Sequence, residues 1–177
     1  MLDKKIVNKA RERAAAMLAD AGIVITPAEA AAMEIVDFGL NQLESQGLEI
    51  VVYINTEIYC AKELVLFPHQ TCPEHRHPDR DGKAGKMETF RCRTGEVLLY
   101  IEGEKTARIQ ARVPAGSEAF YTVFHEVVLN PGEQFTIPSD TLHWFQAGEE
   151  GAIVSEFSST SHDDSDIFTD TNIKRVE

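Results

Sequence analysis

Apolar residues recur at helical spacing in the first part of the chain and at every second position after residue 47, and that switch divides the fold. In residues 3–20, Ile6, Ala10, Ala14, Met17 and Leu18 share one helical stripe, which Gly22 closes. Thr26-Pro27-Ala28-Glu29 reads as a capping box with proline at the first helical position. It predicts a second helix running to about Ser45, with Met33, Val36, Leu40 and Leu43 on its buried side and Gln46-Gly47 at its end.

From Leu48 onward the pattern has a period of two. Leu48, Ile50, Val52 and Ile54 alternate with Glu49, Val51 and Tyr53. Further strands are expected at Glu63-Leu64-Val65-Leu66-Phe67, Val97-Leu98-Leu99-Tyr100-Ile101, residues 121–129, residues 134–138 and residues 152–158. Asn130-Pro131-Gly132 is a strong turn signal between two of them. The polar run Ser158-Ser159-Thr160-Ser161-His162-Asp163-Asp164-Ser165 reads as a surface loop. Many short strands with regular turns predict a mainly β protein, a jelly-roll β-barrel preceded by two N-terminal α-helices. One domain covers residues 1–177, with a helical segment at 1–47, the barrel at 48–160 and a tail at 161–177.

Composition narrows the function. A chain of 177 residues with 43% hydrophobic content suits one soluble domain. The net charge of -12 argues against nucleic acid and anionic membrane as partners. No apolar run is long enough for a membrane span, and Met1-Leu2-Asp3-Lys4-Lys5 opens a charged amphipathic segment rather than a signal peptide. Cys60, Cys72 and Cys92 are odd in number and form no Cys-x-x-Cys pair, which places the protein in the reducing cytoplasm.

The chemistry concentrates between His75 and Gly95. His75 and His77 stand at i and i+2 and so face one side of a strand. After ten intervening residues, Glu88-Thr89-Phe90-Arg91-Cys92-Arg93 turns Glu88, Phe90 and Cys92 inward and both arginines outward. Far downstream, Pro138-Ser139-Asp140-Thr141-Leu142-His143 adds a third imidazole. His75, His77, Glu88 and His143 are therefore the expected ligands of one ion. Nitrogen donors with one carboxylate suit Mn, Fe, Co, Ni or Zn, and an octahedral ion so held keeps positions open for a chelating substrate.

The paired motifs resemble those of the cupin superfamily, with two departures. The gap between His77 and Glu88 is longer than is usual there, and Asp140 stands where cupins often have glycine. Within cupins the chain is similar to the D-lyxose isomerase family. The resemblance lies in Tyr59-Cys60-Ala61-Lys62-Glu63-Leu64-Val65, in Gln70-Thr71-Cys72-Pro73-Glu74-His75-Arg76-His77-Pro78, and in Glu88-Thr89-Phe90-Arg91-Cys92-Arg93. It continues in Tyr100-Ile101-Glu102-Gly103-Glu104-Lys105, Thr141-Leu142-His143-Trp144-Phe145-Gln146-Ala147-Gly148 and Asp166-Ile167-Phe168-Thr169-Asp170. It implies a metal-dependent isomerase that interconverts D-lyxose and D-xylulose, with D-mannose and D-fructose as further substrates and Mn²⁺ as the preferred ion. Co²⁺, Fe²⁺, Ni²⁺ and Zn²⁺ also fit the donors.

Such a reaction moves a proton between C2 and C1 through a cis-enediol while the metal chelates O1 and O2. Beyond the metal it needs a base at carbon and a group for the oxygen protons. Lys62, which resembles the family's active-site lysine and is expected on a strand beside His75, and Glu156, inside the last apolar strand, are the catalytic candidates. Lys62, Lys86, Glu156 and Asp166 are candidate substrate contacts, and Asp166 and Arg175 lie in a tail expected to fold over the barrel mouth or a partner subunit. His69, His125 and His162 read as ordinary histidines, Phe90, Trp144 and Phe157 as packing, and the cysteines as buried apolar groups. Rival readings are isomerisation of a phosphorylated sugar, for which Arg76, Arg80, Lys83 and Lys86 would gather cations, a cupin dioxygenase, and a non-catalytic sugar-binding module. Cupins often pair through barrel edges, so a homodimer is expected.

Overall fold

The computed structural model describes residues 2–80 and 82–175. Their order is α1 (Lys4–Asp20), α2 (Pro27–Ala32), β1 (Glu34–Val36), β2 (Leu48–Asn55), β3 (Cys60–Leu66) and β4 (Thr71–Arg76), then β5 (Glu88–Ile101), β6 (His125–Leu129), β7 (Gln134–Ile137), β8 (His143–Ser158) and β9 (Ile167–Phe168). They form one curled nine-stranded sheet running β1-β2-β3-β8-β4-β9, with β5 against β6, β7 and β8.

The long antiparallel ribbon of β5 and β8 sets the shape. It pairs from Glu88↔Ser158 to Ile101↔His143. Extended, the run from Glu88 to Ile101 would span about 40 Å, yet Glu88 Oε1 lies 3.0 Å from His143 Nε2. The ribbon must therefore fold back on itself. Register shifts fall on both sides of Gly95. Gly95 has φ of +73°, and a Cβ there would stand 2.0 Å from the carbonyl oxygen of Gly151, itself at φ +81°. Only glycine allows this approach at the corner.

The interior is apolar along Ile50, Leu64, Leu66, Phe90, Cys92, Leu99, Phe145 and Val154, all buried. Outside it, α1 lays Ala10, Ala14 and Leu18 on Val51, Val65, Phe67 and Ile153. Leu98, Tyr100 and Trp144 are covered by Ala111 and Tyr121 on another outer face. Trp144 stacks on Tyr100 at 4.0 Å and is packing, while Phe157 is 52% exposed on the barrel's outside. All three cysteines are buried and free.

The capping box forms as expected, but α2 ends at Ala32 rather than near Ser45. The β-branched pair Ile35-Val36 joins β2 as a strand, with Val36 opposite Leu48. Asp37 then accepts hydrogen bonds from the Gly39 and Asn41 amides. Phe38, Gly39 and Asn41 have positive φ, which no helix tolerates. Of residues 121–129 only His125–Leu129 is strand, preceded by a 3₁₀ turn at Glu118–Phe120. The polar run after Ser158 is not simply surface loop, because Ser161 is 6% exposed and bonded to Lys62. Lys62 is also not on a neighbour of the His75 strand. β8 separates β3 from β4, since its length lets one half pair with each.

Glu49 shares the face of Val51 and is fully buried, with one oxygen on Gln70 Nε2 and the other without a partner. Burial pushes its carboxyl up to about 8. A folded-state value above the unfolded one gives stability that is fully present below the ordinary carboxylate range and is lost as pH rises through about 8. Between pH 6 and 9, wild-type stability in urea should therefore fall relative to Glu49→Gln, by on the order of 1.4 kcal/mol per pH unit at the steepest. A flat difference across that range would mean that Glu49 is ionised in the fold.

Candidate metal centre and active site

His75 ends the buried side of β4, His77 lies one residue past the strand, and His143 opens β8 opposite His75 in the register. All three are at most 6% exposed. Each ring is oriented through Nδ1: His75 and His143 on the carbonyl oxygens of Pro73 and Thr141 at 2.8 and 2.9 Å, His77 on Asp166 Oδ1 at 2.6 Å. With hydrogen on Nδ1, the Nε2 lone pairs are the donors left, and one ligand atom from each ring falls within 4.8 Å of the others. Glu88 Oε1 is 3.3 Å from His77 Nε2 and 3.0 Å from His143 Nε2. The latter contact lacks hydrogen-bond geometry, so His143 Nε2 is a buried nitrogen with no hydrogen-bond partner. Three tethered imidazoles, one of them with an orphaned donor, beside a buried carboxylate fit a divalent ion.

The charges agree. Burial, then the two neighbouring histidines, hold His75 well below the usual imidazole range, so its ring is neutral and suited to donate to an ion. Burial would raise Glu88, but Lys86 and His77 outweigh it and keep the carboxylate ionised. Burial would lower His77, yet Glu88 and Asp166 push it up to about 9. The centre favours positive charge.

Glu156 faces the interior from β8 and is 3% exposed. Lys86, from the long gap after His77, has a side chain 7% exposed and joins the two acids: Nζ lies 2.6 Å from Glu88 Oε2 and 2.8 Å from Glu156 Oε1. Burial would lower this ammonium, but Glu156 and Glu88 hold it well above the usual lysine range. Lys62 lies directly across the ladder from Glu156. Its Nζ reaches Ser161 Oγ at 3.0 Å and Asp163 Oδ2 at 2.9 Å. Burial would raise Asp163, but Arg175, Lys62 and Lys86 hold it well below the usual carboxylate range.

A cavity of about 500 Å³ opens against His77, Lys86 and Asp166, walled by Pro78, Arg80 and Lys83 to Gly85, by Glu57-Ile58 and by Ser159, Thr160, His162, Asp164 and Ser165. Arg80 and Lys83 line it, but so do Glu57 and Asp164, while Arg76 is outside and faces Asp140 at 3.5 Å. Three of the four cations thus share the cavity with three carboxylates, Glu57, Asp164 and Asp166, and make no phosphate cradle of one sign. His162, an unremarkable histidine in the sequence, stands in the cavity wall. Ser161 and Asp163 gave no sequence signal beyond polarity; their spacing from a buried lysine exists only in the fold.

A family profile described as D-lyxose isomerase matches residues 27–177. A protein of Cohnella laeviribosi named D-lyxose ketol-isomerase is 65% identical over 169 residues, 96% of this chain and 93% of that one. One of Thermosediminibacter oceani named D-lyxose/D-mannose isomerase is 63% identical over 176 residues, 99% and 97% of the two chains. Among solved structures, the L-ribose isomerase of Cellulomonas parahominis superposes with a TM-score of 0.80 at 18% identity, covering 97% of this chain and 94% of its own. At that identity it shows a shared cupin-type fold.

Metal-stripped protein should bind Mn²⁺ in a calorimetric titration, and His143→Ala should weaken that binding by more than the roughly 10–100-fold that loss of an outer partner costs. Unchanged affinity in a folded His143→Ala protein would remove His143 from the ligand set.

Proposed function

The chain belongs to the D-lyxose isomerase family, and on that premise we propose that it interconverts D-lyxose and D-xylulose, and D-mannose and D-fructose, with a divalent ion, Mn²⁺ foremost. The observation that carries this reading is the meeting of His75, His77 and His143 with Glu88, beside the Lys86–Glu156 pair. His75, His77, Glu88 and His143 would hold the ion. When bound, it supplies a Lewis acid that polarises the sugar carbonyl and adjoining hydroxyl.

The remaining steps fall to this chain's side chains. Glu156 takes the proton from C2 and returns it to C1. Lys62, on the same interior face as Glu156, handles the oxygen protons: its ammonium gives one to O1, forming the cis-enediol, and recovers one from O2 as C1 is protonated. Ser161 and Asp163 hold that ammonium in place. Lys86 keeps Glu156 and Glu88 oriented, and with Asp166 binds the sugar where the cavity meets the centre. The mixed signs of charge around the cavity favour a neutral monosaccharide over a sugar phosphate. Neither that rival nor a dioxygenase is favoured by the family. We place the protein in the cytoplasm, on the strength of its three free cysteines. We also propose a homodimer, for which the exposed Phe157 ring offers contact area.

Ketose formation from D-lyxose and from D-mannose by metal-stripped protein, with and without Mn²⁺, tests the reading. Turnover restored by Mn²⁺ is expected. Glu156→Gln and Lys62→Met should each lower kcat by about 10²–10⁴ while leaving bound metal unchanged. Bound Mn²⁺ without turnover of either sugar would sink the isomerase assignment.

A further inference from the structure

The three imidazoles are not tethered alike. His75 and His143 lean on the carbonyl oxygens of residues two positions back in their own segments. His77 leans on a carboxylate 89 residues away, Asp166 Oδ1, at 2.6 Å, with side-chain exposures of 7% and 5%. His77 also lies beyond the last paired residue of β4: its carbonyl accepts from the Asp140 amide at 3.1 Å, but no strand flanks it as β8 and β9 flank His75.

Asp166 itself is held from both sides. Before it, Asp163 is anchored by Lys62 and by Arg175 Nη2 at 2.9 Å. After it, β9 pairs with β4, putting Phe168 opposite His75 with ring centroids 5.3 Å apart. Thr169 then donates through its amide to the Glu74 carbonyl and through its hydroxyl to Glu74 Oε1 at 2.6 Å. Glu74 also accepts from Thr122 and Val123, so this carboxylate ties the segment to the histidine strand. Such a network leaves the Asp166 carboxylate little freedom to follow a substrate.

We propose that Asp166 is a positioning residue for His77, fixing hydrogen on Nδ1 and aiming Nε2 at the ion, so that metal affinity depends on the segment after the barrel. This rests on the reading that the histidines hold a divalent ion. A buried carboxylate on a ligating imidazole both orients the ring and raises its basicity, and losing it typically weakens metal binding about 10–100-fold. The role is separate from any contact that Asp166 makes with sugar in the cavity.

The test is Mn²⁺ titration of metal-stripped wild type, Asp166→Ala and Asp166→Asn, with KM for D-lyxose measured at saturating Mn²⁺. Asp166→Ala should bind Mn²⁺ about 10–100-fold more weakly. Asp166→Asn, which keeps the shape and a neutral acceptor, should fall between it and wild type. KM at saturating Mn²⁺ reads the sugar contact separately, so the Mn²⁺ constant measured without sugar is the readout that decides. Wild-type Mn²⁺ affinity in both variants with a raised KM would overturn the proposal and leave Asp166 as a sugar contact alone. Wild-type protein that binds no Mn²⁺ would overturn the metal reading itself, a result separable from any behaviour of the variants.

Discussion

Everything at the active end depends on one ribbon doubling back. β5 and β8 are each other's neighbours from end to end, and in a flat sheet Glu88 and His143 would be at opposite ends of that ladder. Their contact exists because the ribbon turns a corner where Gly95 and Gly151 bring backbone against backbone. A side chain at Gly95 would push on the Gly151 carbonyl and open the corner, drawing a carboxylate away from an imidazole at the far end. The two ends of the ribbon are thus brought together by a constraint that lies among residues with no chemistry of their own.

The same curl makes an interior that is apolar over most of its length and charged at one end. Each cation there touches a carboxylate: buried Lys62 and half-buried Arg175 meet Asp163, and Lys86 meets both Glu88 and Glu156. Pairs so deeply withdrawn from water add little net stability, since desolvation offsets most of their attraction. Their effect is on placement, because a low-dielectric site fixes where each charge can sit. Glu74 is the contrasting case, a buried carboxylate satisfied by hydroxyl and amide donors, and it acts as a mechanical tie between three segments.

Much of this was legible from alternation alone. The inward sides of the Glu88 and Glu156 strands follow from period two, as does the shared face of His75 and His77. What was not legible depends on partners distant in sequence. Lys86 reads as a loop lysine within reach of the sugar, but its bridge between Glu88 and Glu156 exists only in the fold. The helical spacing of Met33 and Val36 extends α2 on paper, but the β-branched pair and the left-handed turn at Phe38 to Asn41 divert the chain into the sheet. Lys62 was placed beside the histidine strand because no pattern shows that one long strand will serve two neighbours. The length of the apolar run around residues 143–158, broken by Gly148-Glu149-Glu150-Gly151, was the available hint.

The spacing of the centre along the chain bears on how it is assembled. His77 meets Glu88 over 11 residues but Asp166 only over 89, and contacts of that range form late, after loop closure is already established. Small zinc domains fold around their ion because the ligands lie close in sequence. Here no emerging chain has a complete set of donors to offer until the barrel has closed. An ion held by these donors would therefore arrive at a finished protein. Which metal such a site takes would then be decided by exchange at the open end, under whatever concentrations the surroundings maintain, rather than by capture during synthesis.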